Sequence, residues 1–578
     1  MLDLRVLAWL SAVWIVFAGR AAGADPPAVE TKHGMVVAAE PLAAEAGVEM
    51  LRRGGNAIDA AVATGFALAV TYPVAGNLGG GGFLLAVLPA NAEEPEGAPA
   101  REPRRIALDF RETAPALAHP RLFVEAKERG VESASTLGHL AAGVPGSVAG
   151  LLHALEQWGS LDRATVLAPA IRLAHEGFAV PRRTADFLRD PDIAAGMRSF
   201  ESTADLFYPG GEPLAEGALL RQPDLARTLE RIATQGRSGF YSGETAERIV
   251  AEMARGGGIV SRSDLLEYQP VERPPIEFAF HGVRLVTMPP PSSGGVCLQQ
   301  MLAILDRFPL RELGHNSSAT LHLLAEAMRR SFADRNRFLG DPDDQALPLA
   351  ELRSARRLDA LASTIRLDLA TPSETLLDTP LPSPEGEQTT HYSVVDAWGG
   401  AVSVTTTLNG AFGSKVLVPG AGFLLNNEMD DFTTHPGQPN LYGLVQGAVN
   451  DVRAGRRPLS SMTPTIVLDD RGVRHVLGTP GGPTIITNVL QVFLALEVFD
   501  LEPQAAVNSP KIHHQCLPDR IDIEPGLPLD VWDGLRRRGH AVRERESIGD
   551  FQLISRRPER GLLLGASDPR GGGAVRGY

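Results

Sequence analysis

From residue 41 to 53 the apolar positions Leu42, Ala46 and Met50, with Ala43, Val48 and Leu51 beside them, recur at the spacing of one helix face, and Gly54-Gly55 supplies the stop. Asn56 stands where an N-cap is wanted. Ala57 to Val70 is apolar on every side, which predicts a buried helix. The pattern then turns strand-like at Leu84-Leu85-Ala86-Val87-Leu88 and again at Ile106-Ala107-Leu108-Asp109-Phe110, which ends in Arg111-Glu112-Thr113-Ala114-Pro115. Residues 120–270 read as mostly helical, with Leu151, Leu152, Leu155, Ala168, Ile171, Leu173 and Ala174 as core positions. A rigid loop, Pro289 to Gly295, precedes a helix from Val296 to Asp306. Between Ser317 and Phe338, Leu321, Leu324, Ala325, Met328 and Phe332 form a core stripe. Arg329, Arg330, Asp334, Arg335 and Arg337 fall mainly on the other face and read as solvated.

Residues 340–388 hold few apolar positions and many Pro, Asp and Glu, which marks a mobile connection. Beyond it the period becomes two. Tyr392, Val394 and Val395 belong to one strand, Ala397-Trp398-Gly399-Gly400 is a turn, and Ala401 to Thr407 returns as the hairpin partner. Further strands are predicted at Gly422–Leu425, Thr465–Leu468 and Arg474–Leu477, and a helix from Ile485 to Val498 after Pro480-Gly481-Gly482. Thr389 sits where the Pro-rich, acidic linker meets the first of these strands.

Composition narrows the class. The 578 residues, 44% hydrophobic and 21% charged, with 60 Gly and 44 Pro, describe a globular chain with many tight loops. A net charge of −14 and the lack of a long basic block exclude a nucleic-acid partner and favour small-molecule substrates. Arg5, the apolar run from Val6 to Phe17 and Ala22-Gly23-Ala24 have the layout of a secretory signal cleaved after Ala24. The run is shorter than the roughly 20 residues of a membrane span, so an anchor is the lesser reading. The mature protein is expected to be exported, periplasmic or secreted, without stable membrane insertion. Cys297 and Cys516 are too few for a disulfide scaffold and read as buried thiols, with a single bridge left open.

Several conspicuous residues have plain structural readings. The four glycines Gly79 to Gly82 lack the Lys-Ser/Thr of a phosphate loop and read as a backbone turn packed closely on a neighbour. His513-His514 point different ways along a strand and have no third ligand at hand. Asp430-Asp431 suggest a metal or a glycosidase, but no ligands stand at supporting spacing. Thr389 could be merely a good β-former. As the first residue of a chain, though, it would combine a hydroxyl nucleophile with an α-amino base whose pKa is about 7.7 to 8.0. That chemistry requires cleavage of the Gln388-Thr389 bond.

Thr389-Thr390-His391-Tyr392-Ser393, Thr407-Leu408-Asn409, Asn426 to Phe432, Pro458-Leu459-Ser460-Ser461-Met462 and Pro480-Gly481-Gly482 occur in the order and spacing of the γ-glutamyltransferase (γ-glutamyltranspeptidase) family, which this sequence resembles. Asn77 to Phe83, Asp109 to Pro115, Met288 to Gly295 and Gly565 to Arg570 extend the resemblance over nearly the whole mature chain. It implies an α+β fold, a four-layer αββα sandwich of the N-terminal nucleophile hydrolase type. A precursor with signal 1–24 would cleave itself into a large subunit, 25–388, and a small one, 389–578, intertwined as one domain.

The roles implied are Thr389 as nucleophile, Thr407 as the hydroxyl orienting it, and Gly481 and Gly482 as backbone donors to the oxyanion. Arg111, Ser460 and Ser461 would hold the α-carboxylate of a γ-glutamyl group, and Asn409, Glu428 and Asp431 its ammonium. Some members of the family carry Gln where Glu428 stands here. Residues 436–447 would form a lid, with Tyr442 bonding Asn409. Gly410-Ala411 and Pro483-Thr484 depart from the common pattern and bear on acceptor preference. The implied reaction is ping-pong transfer from glutathione, releasing Cys-Gly, to water, amino acids or short peptides. No metal or organic cofactor is implied. The competing readings are a glutaryl or cephalosporin acylase of the same fold and a non-catalytic periplasmic binding protein.

Overall fold

Side chains along the predicted strands alternate between two apolar cores. Val36, Ala38, Leu84, Ala86, Ile106, Leu108, Val402 and Val404 join one, while Met35, Val37, Phe83, Leu85, Val87 and Ala107 join the other. Strict alternation with both faces apolar means a sheet covered on both sides. The computed structural model, which describes residues 27–90, 102–377, 389–435 and 437–578, has this arrangement. The signal segment, Gln388 and the Pro-rich run before it lie outside the described residues.

Two seven-stranded antiparallel sheets pack face to face. The first runs Ala574–Gly577, Met35–Ala38, Thr390–Val395, Ala401–Thr407, Gly81–Leu88, Arg104–Asp109 and Val271–Arg273. The second runs Val29–Thr31, Leu562–Ser567, Gln552–Arg557, Gly472–Gly478, Thr465–Asp469, Val283–Thr287 and Ile276–Phe280. Helices Pro41–Arg52, Ala57–Thr71 and Ser147–Trp158 cover the outer face of the first; Gly294–Leu305, Thr484–Glu497 and Pro503–Asn508 cover the second. The layers are therefore αββα, as expected from the sequence. Every residue of the Ala57–Thr71 helix is buried, and its start is set by reciprocal capping between Asn56 and Asp59. The Asp396 carboxylate, at the tip of the central hairpin, also accepts the Ala57 N–H at 2.9 Å. The glycine run is a close backbone contact: a Cβ at Gly80 would lie 2.0 Å from the Thr407 carbonyl oxygen. Cys297 and Cys516 are free and buried, and burial pushes each thiol up to about 11.

Three expectations need correction. Gly422–Leu425 is not a ladder strand. It folds back on Val416 and Val418 through turns at Gly420 and Gly422 and makes only isolated bridges. Residues 340–377, read as a mobile connection, form helices Leu349–Leu352 and Ala355–Ser363 and a turn at Ser373–Leu376. That segment overturns the third reading. On the helix Ser318–Phe338 every residue from Thr320 to Asn336 is buried, Arg329, Arg330, Asp334 and Arg335 of the charge run included, and only Arg337 of that run is exposed. Arg329 pairs with Asp519 and Arg330 with Glu326, and Asp334 pairs with Arg357 of the covering helix. Charged residues are buried here because each has a polar partner. In the same cluster His322 Nδ1 meets His540 Nε2 at 2.8 Å and Glu326 bonds Thr371, so these groups are already committed to one another. His513 bonds Thr487 and Gln515, and His514 faces Asp519 instead.

Candidate active site

The central hairpin of the first sheet sets the geometry. Thr390 pairs with Thr406, so the register carries Thr389 opposite Thr407 at the open end of the two strands. Thr389 is 3% exposed. Thr407 Oγ1 accepts the Asn409 N–H at 2.8 Å. Asn409 sits at φ +74°, a left-handed conformation that asparagine tolerates better than most side chains.

Thr389, Thr407 and Asn409 line one small cavity of about 20 Å³, and Arg111, Asp431, Tyr442, Ser460, Ser461 and Gly482 line it with them. Gly481 adjoins Gly482, and Glu428 touches Arg111. The residues singled out in the sequence thus converge from seven separated segments, with Gln388 alone outside the described residues.

Arg111 leaves the end of strand Arg104–Asp109, where Asp109 accepts its backbone N–H at 2.9 Å. Its guanidinium meets Asp431, Glu428 at 2.5 Å and Glu112 at 3.5 Å, all buried. Burial alone would lower the Arg111 pKa, but these carboxylates outweigh it and raise it. Burial also pushes Glu112 up to about 8 against the pull of Arg111, and it raises Glu428 and Asp431 in the same way. One guanidinium thus faces more carboxylates than it can neutralise. Among the described residues Asn409 Oδ1 and both Glu428 oxygens are buried without an aligned hydrogen bond. These acceptors suit a cationic ligand group.

On the other side the loop before Gly294–Leu305 fixes the serines. Ser293 N–H and Oγ both donate to the Ser460 carbonyl, and Ser460 N–H donates to Pro291. Gly481 and Gly482 stand at φ +131° and +54°, before the helix Thr484–Glu497, and a Cβ on Gly482 would come within 2.7 Å of the Tyr442 ring. Two backbone N–H groups in such a turn can receive a developing negative charge. Tyr442 closes the cavity, its hydroxyl donating to the Asn409 carbonyl at 2.7 Å. The closing segment is pinned where Asp430 accepts the Leu441 N–H at 2.7 Å and the Ser135 hydroxyl at 2.6 Å. Burial holds the Asp430 carboxyl up at about 6.

Sequence reasoning missed two polar residues here. Glu112 follows Arg111, and because the strand has already ended at Asp109 both side chains turn to the same site. Arg335 lines the cavity from the helix whose charged face was read as solvated. The buried neighbours Leu444, Leu459, Met462 and Ile485, which exclude water, carried no separate signal.

A threonine at the open end of a hairpin, in the inner layer of an αββα sandwich and facing a cavity between loops, defines an enzyme of the N-terminal nucleophile hydrolase fold. The Gamma-glutamyltranspeptidase family profile matches residues 43–578. The chain is 42% identical to the glutathione hydrolase proenzyme of Escherichia coli strain K12, covering 94% of this chain and 91% of that one. Its fold is similar to that of a cephalosporin acylase from Bacillus halodurans, with a TM-score of 0.82 at 27% identity over 97% of this chain and 98% of that one. Against the gamma-glutamyltranspeptidase of Helicobacter pylori the TM-score is 0.55 at 40% identity, covering 60% of this chain and 95% of that one. The chain belongs to the γ-glutamyltranspeptidase family.

Proposed function

We propose that this protein is an exported γ-glutamyltransferase and glutathione hydrolase, made as a precursor that cleaves its own Gln388-Thr389 bond. The observation that carries this reading is one cavity holding Thr389 together with the Arg111 guanidinium, Asp431 and the unsatisfied acceptor Asn409 Oδ1. In the precursor, Thr389 Oγ attacks the Gln388 carbonyl carbon and the amide nitrogen leaves as the Thr389 α-amine. Water then hydrolyses the ester, giving a Gln388 carboxylate and a free Thr389. In the mature enzyme the α-amine takes the Thr389 proton as Oγ attacks the γ-carbonyl of the donor, and returns it to the departing amine. Thr407 orients the hydroxyl, and the Gly481 and Gly482 N–H groups hold the oxyanion. Water or an acceptor amine then displaces the ester.

Donor choice follows from charge. Arg111, Ser460 and Ser461 offer donors to the α-carboxylate; Asn409, Glu428 and Asp431 offer acceptors to the α-ammonium. A glutaryl group lacks that ammonium and would leave Asn409 Oδ1 buried and unpaired, with Glu428 and Asp431 answered by Arg111 alone, which favours the γ-glutamyl donor over the acylase reading. A cavity of about 20 Å³ has room for little more than a water molecule. Movement of the Tyr442 segment would enlarge the cavity for the donor, and its return would exclude water from the ester. The 1–24 segment is read as the export signal. No helix among the described residues is long and apolar enough to cross a membrane.

Denaturing electrophoresis with N-terminal sequencing, joined to an assay on a γ-glutamyl anilide, tests the proposal. Two chains are expected, the smaller beginning at Thr389, together with release of the aniline. A single intact chain without turnover would point to a binding protein instead. Gly482→Ala is expected to lower kcat by about 10²- to 10³-fold, because it strains the oxyanion turn and displaces Tyr442. Steady-state kinetics on the matured variant would read this, and an unchanged kcat would remove the turn from the mechanism.

A further inference from the structure

Arg335 is a buried cation for which no carboxylate stands within ion-pair distance among the described residues. It is 1% exposed, and three of its N–H donors go to neutral oxygens: Ser293 Oγ at 2.9 Å, Asn336 Oδ1 at 2.9 Å and Ser461 Oγ at 3.1 Å. Arg111, in the same cavity, has three carboxylates about it. The contrast appears in their acidities: Arg111 is held above its ordinary value, whereas burial draws Arg335 down to about 10. A buried charge is ordinarily paired or faces a ligand that pairs it. Arg335 lines the cavity together with Asp431, whose charge acts on it without pairing it, so a counter-charge can still arrive there.

Arg335 also sets the two serines. Because Ser461 Oγ accepts from Arg335, its own hydrogen is left for a second acceptor. Ser293, held by Arg335 Nε, grips the Ser460 carbonyl through both its N–H and its hydroxyl. A single guanidinium therefore orients the Ser461 hydroxyl directly and, through Ser293, fixes the backbone that carries Ser460.

We infer that Arg335 is a substrate-positioning residue, the second cation of the α-carboxylate subsite, acting through Ser461 and through its own charge. This rests on the γ-glutamyl reading above. Arg111 enters the subsite already engaged by acidic side chains; Arg335 supplies the charge that an anionic acyl donor completes.

The test compares two anilides in the matured enzyme: γ-glutamyl-p-nitroanilide and 4-aminobutyryl-p-nitroanilide, which lacks only the α-carboxylate. Arg335→Gln is expected to raise KM for the first by about 10- to 100-fold, the worth of a hydrogen bond to a charged group. Its kcat should change less, and kcat/KM for the second should stay within about twofold, a margin of a few tenths of a kcal/mol. Arg335→Lys should recover part of the KM. An unchanged KM, or an equal loss on both substrates, would overturn the inference, the latter by exposing a purely structural role. Should Arg335→Gln fail to mature, the same two-substrate ratio in Arg335→Lys decides: a lower ratio supports the inference and an unchanged one overturns it. Failure of the unmodified enzyme to cleave γ-glutamyl-p-nitroanilide would instead sink the functional reading itself.

Discussion

Thr389→Ala is expected to purify as one uncut chain and to lose γ-glutamyl transfer by at least about 10⁴-fold, as removal of a nucleophile does when no neighbour replaces it. The same oxygen serves both steps, so cleavage and turnover should vanish together. Folding should survive. Thr389 precedes the first paired residue of its strand, and Thr390–Val395 keeps both neighbours, Ala401–Thr407 and Met35–Ala38, without it. Thr389→Ser, which retains the oxygen, should mature more slowly and keep partial activity. Denaturing gels and anilide kinetics on the three proteins decide the matter. A Thr389→Ala chain that still divides before residue 389 would assign cleavage to another group, and one that still turns over would remove Thr389 from the chemistry.

What the sequence made legible was local or motif-borne. The central hairpin could be read because β-branched residues alternate on both sides of a Gly-Gly turn, and the Ala57–Thr71 helix because its pattern is apolar on every side. Pairing between distant segments left no such trace. Ala574–Gly577 completes the first sheet against Met35–Ala38, and Val29–Thr31 edges the second against Leu563–Gly565. Arg335 shows the cost of this. Its charge pattern fits a solvated helix face; residues 355–376, themselves poor in apolar positions, cover Arg329, Arg330 and Asp334, while Arg335 is buried against Ser293 and Ser461 from other distant segments. The named motifs identified side chains that meet in the cavity, but not the residue that orients Ser461.

Arg111→Met should both weaken donor binding and make stability strongly dependent on pH. The substitution keeps much of the side-chain volume while removing the one guanidinium that Glu112, Glu428 and Asp431 share. Leaving buried carboxylates without their partner costs about 3–5 kcal/mol where they are ionised. In the unmodified protein burial pushes the Glu112 carboxyl up to about 8 from its ordinary 4.5, against the pull of Arg111. A carboxyl raised in this way contributes stability that is fully present below about 4.5 and is lost as pH rises through 8, at up to about 1.4 kcal/mol per pH unit. Without Arg111 the carboxyls rise further, so the variant's deficit should be small near pH 5 and largest near pH 8. Urea unfolding of both proteins at the two values measures it. Glu112→Gln in the Arg111→Met background should recover part of the loss at pH 8 and little at pH 5. An Arg111→Met deficit equal at the two pH values would mean that the acidic cluster does not respond to the guanidinium, and the electrostatic account of the subsite would fall with it.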